Sequence, residues 1–66
     1  MQIQLNGEPS QLPRAMNLAE LMEHLQLQGR RVAVELNQQI VPKSRHQQTL
    51  IQPGDQIEIV HAIGGG

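Results

Sequence analysis

The spacing of apolar residues changes period twice along this chain, and this change limits the possible folds more than any other feature of the sequence. Residues 2–5 alternate polar and apolar side chains, which is the pattern of a half-buried strand. The pair Asn6-Gly7 follows and is well suited to the positive φ angles of a two-residue hairpin turn. We therefore predict a hairpin whose second strand runs to about Leu12, at the edge of a sheet because Pro9 lacks a backbone N–H.

The next segment, "NLAELMEHLQLQG", has the period of a helix. Apolar side chains recur at i, i+3, i+4 and i+7 and form one stripe: Leu18, Leu21, Met22 and Leu25. Asn17 is placed to cap the first turn, and Glu20 stands three residues later in the capping-box position. Gly29 is placed to end the helix in a left-handed conformation. A helix of about ten to twelve residues is predicted.

Alternation returns after the helix. In "VAVEL" a strand is predicted, with one face formed by Val32, Val34 and Leu36 and the other by Ala33 and Glu35. Asn37-Gln38 is a plausible turn, and a short strand that starts at Ile40-Val41 ends at Pro42. A Pro-Gly-Asp turn then leads into a final strand. In that strand the inward side chains are Ile57 and Ile59, and the outward ones are Glu58 and Val60.

The segment "KSRHQQTL" between these strands is polar, and we predict an irregular loop with one helical turn after Ser44. Its basic cluster of Lys43, Arg45 and His46 could contact a phosphate or an acidic partner, although a solvated loop is the favoured interpretation.

The order strand, strand, helix, strand, strand, strand predicts an α+β domain with a mixed sheet of four to five strands and one main helix packed on one face. Aromatic residues are absent and apolar residues make up 38% of the 66 positions. The core must therefore consist of Leu, Ile, Val and Met side chains.

Composition argues against several classes of function. The net charge is −1 and no basic stripe occurs, so nucleic acid is not an expected partner. No apolar run approaches the length of a membrane span, and a cytoplasmic location is expected. Cysteine is absent, which removes disulfides, thiolate metal sites and a cysteine nucleophile. The three histidines, His24, His46 and His61, are too scattered for a metal site and are expected at the surface or at strand edges.

The chain ends in "HAIGGG". Glycine has the most backbone freedom to lose on ordering, so a glycine run adds nothing to a core. The expected organisation is a folded domain over residues 1–63 and a flexible glycine tail over residues 64–66. Such a tail is either a frayed end or a segment whose lack of side chains is its function.

Several motifs together resemble one known family. Glu35, Asn37, Val41 and Pro42 in "VELNQQIVP", the segment "PGDQIEIV" and the terminal glycines are similar to the bacterial ThiS family of sulfur carriers in thiamine biosynthesis. The resemblance covers nearly the whole chain and implies a β-grasp, ubiquitin-like fold. Two positions differ from the family pattern: Lys43 stands where arginine is common, and His46 where a larger aromatic residue is frequent.

The resemblance also implies a reaction sequence at Gly66. A ThiF-type adenylating enzyme would use ATP and Mg²⁺ to convert the Gly66 carboxylate to an acyl-adenylate. Sulfur from a cysteine desulfurase pathway would displace AMP and leave a thiocarboxylate. A ThiG-type thiazole synthase would then take the sulfur. The carrier itself would bind no cofactor or metal, contain no catalytic residue, and be monomeric when free.

Partner enzymes would recognise the outward residues next to the tail and the tail itself. The predicted partner-binding residues are Val60, Ala62, Ile63, Gly64, Gly65 and Gly66, of which Gly66 is the modified one. Glycines suit this task because a chain without Cβ atoms passes through a narrow channel.

Other functions remain open at this point. The chain could be the small subunit of molybdopterin synthase or a thiocarboxylate carrier for cysteine synthesis. It could be a protein modifier joined to lysines through Gly66. It could also be a β-grasp interaction module whose tail has no chemistry.

Overall fold

Five strands form one mixed sheet in the computed structural model, which describes residues 1–61. The elements are β1 (Gln2–Leu5), β2 (Glu8–Gln11), α1 (Leu18–His24), β3 (Val32–Leu36), β4 (Gln39–Val41), a 3-10 helix (Lys43–Gln48) and β5 (Gln56–His61). The sheet order is β2-β1-β5-β3-β4. Strands β1 and β5 are parallel, and the other neighbours are antiparallel. The predicted α+β fold and order of elements are confirmed; the predicted boundary between residues 63 and 64 lies outside the described residues.

Both hairpins turn through two residues with positive φ. The values are 51° and 82° at Asn6 and Gly7, and 51° and 71° at Asn37 and Gln38. Two consecutive positive φ angles define the type I′ turn, whose twist matches that of the flanking strands. Both turns agree with the sequence prediction, and Pro9 lies in the edge strand β2 as expected.

The core lies between α1 and one face of the sheet. Its buried side chains are all aliphatic or methionine: Ile3, Leu12, Met16, Leu18, Leu21, Met22, Val34, Ile51 and Ile57. Leu18, Leu21 and Met22 come from the predicted helical stripe, and Leu25 is half-buried against them. Because successive side chains of a strand point to opposite faces, Ile3, Val34 and Ile57 all lie on the face that packs against the helix.

Helix α1 begins with the predicted capping box. The backbone N–H of Glu20 donates to Asn17 Oδ1 at 2.8 Å, and the backbone N–H of Asn17 donates to Glu20 Oε1 at 2.9 Å. The hydrogen bond from the Asn17 backbone N–H holds the pKa of Glu20 below its ordinary value of 4.5. The Arg14 guanidinium lies 3.3 Å from Glu20 Oε2 and lowers this pKa further. The charged carboxylate is therefore the form that completes the cap.

The helix ends earlier than the sequence predicts. It spans seven residues and stops before Gln26, which has a φ of 60°; Gly29 lies in the turn that follows. The N–H of Leu27 donates to the carbonyl of Met22, and that of Gln26 to the carbonyl of Glu23, which is the Schellman pattern. Leu27 explains the difference: a continued helix would place it about 200° from Leu25, whereas the turn packs it against the core.

We expect Gln26→Gly to stabilise the protein by about 0.5–1 kcal/mol, because glycine adopts positive φ without a Cβ penalty. The test is the free energy of unfolding from urea denaturation, with Gln28→Gly as the matched control, since Gln28 is exposed and its φ is not positive. A Gln26→Gly variant that is less stable than the wild type would contradict the assignment of Gln26 as the helix-ending residue.

His46 is buried, contrary to the expectation that each histidine lies at the surface or at a strand edge. It is 7% exposed in the 3-10 helix, and its Nε2 lies 3.1 Å from the carbonyl oxygen of Val41. Because a carbonyl oxygen only accepts, Nε2 carries the proton of this bond. The family pattern contained the signal for burial, since a large aromatic residue is frequent at this position. The exposed positions of His24 and His61 agree with the prediction.

Candidate functional site

Strand β5 leads to the glycine tail and is the central strand of the sheet. It pairs with β3 over five residues, from Ile57 opposite Leu36 to His61 opposite Val32. Its pairing with β1 is much shorter and includes only Gln56 and Ile57. Among the described residues 1–61, the last four residues of β5 therefore have a neighbouring strand on the β3 side only.

Two asparagine side chains bond to β5 on the side where a residue lacks a strand partner: Asn37 on the β3 side of Gln56, and Asn6 on the β1 side of Ile59. Asn37 Oδ1 accepts the N–H of Gln56 at 2.9 Å, and its Nδ2 donates to Asp55 Oδ1 at 3.1 Å. Asn6 Oδ1 accepts the N–H of Ile59 at 2.8 Å. Each asparagine is also the first central residue of a hairpin turn, so the two turns fix the strand that carries the tail. Sequence reasoning found the turns and missed these bonds, which join residues far apart in the chain.

We expect Asn6→Gly to cost about 0.5–1.5 kcal/mol, because it keeps the turn and removes the bond to Ile59. Asn6→Ala should cost about 1 kcal/mol more, because alanine is strained at positive φ. Urea denaturation measures both variants, and amide hydrogen exchange reports the Ile59 bond directly. An Ile59 amide that is as protected in Asn6→Gly as in the wild type would contradict this role of Asn6.

The face of the sheet opposite the helix carries a patch of outward side chains, here called the outer face: Ala33, Ile40, Glu58 and Val60, which are exposed, and Glu35, which is half-buried. Val60 is 55% exposed and lies opposite Ala33; Ile40 is 71% exposed and lies opposite Glu35. Glu35 also lies opposite Glu58. Like charges in this arrangement destabilise a sheet. A partner with apolar and cationic groups would cover the exposed side chains and relieve the repulsion.

Val60 is the one predicted partner-binding residue that lies within the described range, and it is outward-facing and exposed as predicted. Ala62, Ile63, Gly64, Gly65 and Gly66 lie outside the described residues. Within residues 1–61, no group of three His, Cys, Asp or Glu side chains is arranged to hold a metal ion. No helix in this range has the length and apolarity needed to cross a bilayer.

The sequence matches the model of the ThiS family over residues 3–66. It is 38% identical over 66 residues to the "Sulfur carrier protein ThiS" of Escherichia coli strain K12, with both chains fully covered. It is 42% identical over 66 residues to a protein named "Thiazole synthase" from Paramagnetospirillum magneticum. That alignment covers all of this chain but 20% of the longer relative.

A solved structure gives the same result for the fold. The crystal structure of the thiamine biosynthesis protein ThiS from Geobacter metallireducens superposes with a TM-score of 0.87 at 32% sequence identity, and each chain is fully covered. The two-hairpin, one-helix architecture described above is therefore that of a ThiS protein. On the family match over residues 3–66 and this shared fold, the chain belongs to the ThiS family.

Proposed function

We propose that this chain is a sulfur carrier of thiamine biosynthesis and that the carboxyl group of Gly66 carries the sulfur. The observation that supports this most is the extent of the family match, which runs through Gly66. The relative from Escherichia coli that is named a sulfur carrier is also aligned over its entire length. Cysteine is absent from the chain, so no side chain could carry the sulfur as a persulfide.

The chemistry needs an activated carboxyl group, because a carboxylate would have to expel oxide. A ThiF-type adenylating enzyme joins a Gly66 oxygen to the α-phosphate of ATP, with Mg²⁺ bound by that enzyme, and pyrophosphate leaves. Sulfur from a cysteine desulfurase pathway arrives as a persulfide, and its terminal sulfur attacks the carbonyl carbon while AMP leaves. A thiol of the sulfur donor then cleaves the resulting acyl disulfide, which releases the thiocarboxylate and leaves a disulfide on the donor. The carrier supplies the reacting terminus and no catalytic group, so it acts as a co-substrate rather than as an enzyme.

The acceptor of the sulfur is a thiazole synthase in this proposal. Support comes from the relatives: two proteins named "Thiazole synthase" match this whole chain over 20% of their own length. A carrier-like segment and a longer remaining part thus occur in one polypeptide in those proteins. In this proposal, this chain carries the sulfur and a separate ThiG-type enzyme forms the thiazole.

Recognition is assigned to the outer face next to the tail. Val60 lies four positions before Gly64, so a partner that covers Val60 holds the chain close to the start of the tail. Binding there offsets the cost of ordering the glycines, about 1–2 kcal/mol per residue. Each enzyme must bind the outer face and then release it, because one carboxyl group serves two enzymes in succession.

The experiment is a reconstituted thiazole-forming assay with purified adenylating enzyme, sulfur donor and thiazole synthase. We expect Val60→Asp to lower the rate at limiting carrier by about tenfold or more, since a buried unpaired charge opposes docking. Gln2→Asp is the matched control, because Gln2 is exposed and the parallel register of β1 with β5 places it beyond the start of β5, at the opposite end from the tail. Equal rates for the two variants would contradict the role of Val60, and no thiazole with the wild type would contradict the proposed function.

A further inference from the structure

The backbone of β5 has hydrogen-bonding groups without a neighbouring strand at the end that leads to the tail. The carbonyl of Ile57 accepts the N–H of Asn6 at 2.9 Å, and the N–H of Ile59 donates to Asn6 Oδ1 at 2.8 Å, so both residues face the β1 side. In a paired strand the N–H and C=O of one residue face the same neighbour, and successive residues alternate. The carbonyl of Ile59 and both backbone groups of His61 therefore face the β1 side too, and are here called the open side of β5.

No strand pairs with the open side among residues 1–61. Strand β1 ends at Leu5, where its register with β5 stops, and the Asn6-Gly7 turn leads the chain away into β2. Within this range no donor bonds to the carbonyl of Ile59, and no acceptor bonds to the N–H of His61. The space beside the turn is also open, because a Cβ placed on Gly7 would have no described neighbour within 4 Å.

The two outer edges of the sheet are less suited to a further strand than the open side is. Pro9 in β2 has no N–H, and β4 has three residues and is followed by Pro42. Proline and very short edge strands are features by which natural sheets prevent edge pairing. The open side has neither feature, and the sequence from residue 59 to residue 66 contains no proline. It can therefore accept an added strand.

A cleft of about 210 Å³ lies beside the open side, towards the outer face. It is lined by Gln4, Gly7, Gln56, Ile57 and Glu58. The carboxylate of Glu58 and the amide oxygens of the two glutamines are hydrogen-bond acceptors. In a strand added on the open side, alternate side chains point towards the outer face. One that donates hydrogen bonds would fit this cleft.

The proposed function gives the open side a task. Gly66 lies five positions after His61, and five extended residues span at most about 18 Å. An enzyme that receives the Gly66 carboxyl group must therefore surround the chain directly after β5. Residues 64–66 offer no side chain for recognition, and backbone N–H and C=O groups that leave water need hydrogen-bond partners. A strand of the enzyme that pairs with β5 would begin to supply them.

We propose that an extended segment of the thiazole synthase adds to the sheet as a strand on the open side of β5, where it bonds to the carbonyl of Ile59 and to the backbone of His61. The inference rests on the proposed function for the identity of this enzyme. The relatives favour the synthase as the occupant, because two proteins named "Thiazole synthase" contain a segment that matches this whole chain. Val60 lies between the two bonded residues and points to the outer face, so one enzyme can contact both surfaces.

The test is amide hydrogen exchange of the carrier alone, with purified thiazole synthase and with purified adenylating enzyme. The His61 N–H should exchange at least about tenfold more slowly with the synthase, because it becomes a strand bond. His61→Pro removes this donor and should weaken binding to the synthase by about tenfold. The His61 N–H faces away from β3, so the variant should remain folded, as urea denaturation verifies. His61→Ala is the matched control, because it removes the side chain, keeps the N–H and should bind like the wild type.

The outcomes separate strand addition from the carrier function. Three results would overturn strand addition alone: a His61 amide that exchanges as fast with the synthase as without it, protection by the adenylating enzyme only, and equal weakening by His61→Ala and His61→Pro. Protection in the free carrier that increases with its concentration would assign the open side to a second copy of the chain, which would also overturn the inference. Absence of thiazole with the wild type in the reconstituted assay would instead contradict the proposed function.

Discussion

We expect that removal of Gly65 and Gly66 will abolish sulfur transfer and will leave the free energy of unfolding within about 0.5 kcal/mol of the wild type. The buried core residues of the described range and both hairpin turns precede Gly65, so the truncation removes the proposed reacting terminus and none of these residues. Thiazole formation in the reconstituted assay measures the first effect, and urea denaturation measures the second.

The truncated chain is also expected to inhibit transfer by the wild type, because it keeps Val60 and the rest of the outer face. Inhibition should disappear when Val60→Asp is added to the truncation, which is the internal control. A truncated protein that still supports thiazole formation would contradict the carrier function. It would favour a β-grasp interaction module whose tail has no chemistry.

The remaining alternatives differ in the fate of Gly66. A protein modifier would form isopeptide-linked adducts when cell extract is incubated with ATP, and a carrier would not. The small subunit of molybdopterin synthase would share the thiocarboxylate, but its sulfur would not appear in thiazole. The family match favours the thiazole pathway over this alternative.

The second large effect is expected in the core. Ile57→Ala should destabilise the protein by about 2–5 kcal/mol, because it leaves a cavity between α1 and the central strand. Ile57 is 0% exposed, and β5 pairs with both neighbouring strands at this residue. Natural domains have only about 5–15 kcal/mol of stability, and a chain of this size has a small core. The variant should therefore be partly unfolded at moderate temperature, as circular dichroism melting would show.

Ile40→Ala is the matched control for Ile57→Ala. The same atoms are removed from the same sheet, but Ile40 is 71% exposed, so the change in stability should stay within about 0.5 kcal/mol. Ile40→Ala should instead affect partner binding through the outer face. Similar destabilisation by the two substitutions would contradict the description of the core.

Short-range patterns in the sequence were sufficient to predict the two hairpin turns, the start of α1 and the two faces of β5. Asn6-Gly7 and Asn37-Gln38 predicted two-residue turns, and Asn17 with Glu20 predicted the start of α1, because each signal acts within four residues. Alternation in β5 placed Ile57 in the core and Val60 outside it. These features depend on backbone conformation and side-chain period, which a short segment determines by itself.

Features that depend on distant contacts were missed. The end of α1 is determined by the packing of Leu27 on the core, and periodicity gave no sign that Gln26 would take a positive φ. The bonds from Asn6 and Asn37 to β5 connect residues that only the folded sheet brings together. The burial of His46 was signalled by the family pattern, but its polar side chain led to a prediction of exposure.

The most direct test of the carrier function is the intact mass of the protein after co-expression with its adenylating enzyme and sulfur-donating enzymes. The account predicts a species heavier by the replacement of one oxygen atom by sulfur, about 16 Da, with the added mass in the C-terminal peptide that contains Gly66. The species should disappear when purified thiazole synthase and its other substrates are added. A mass that never changes with active partner enzymes present, or an added sulfur located in another peptide, would contradict the central claim.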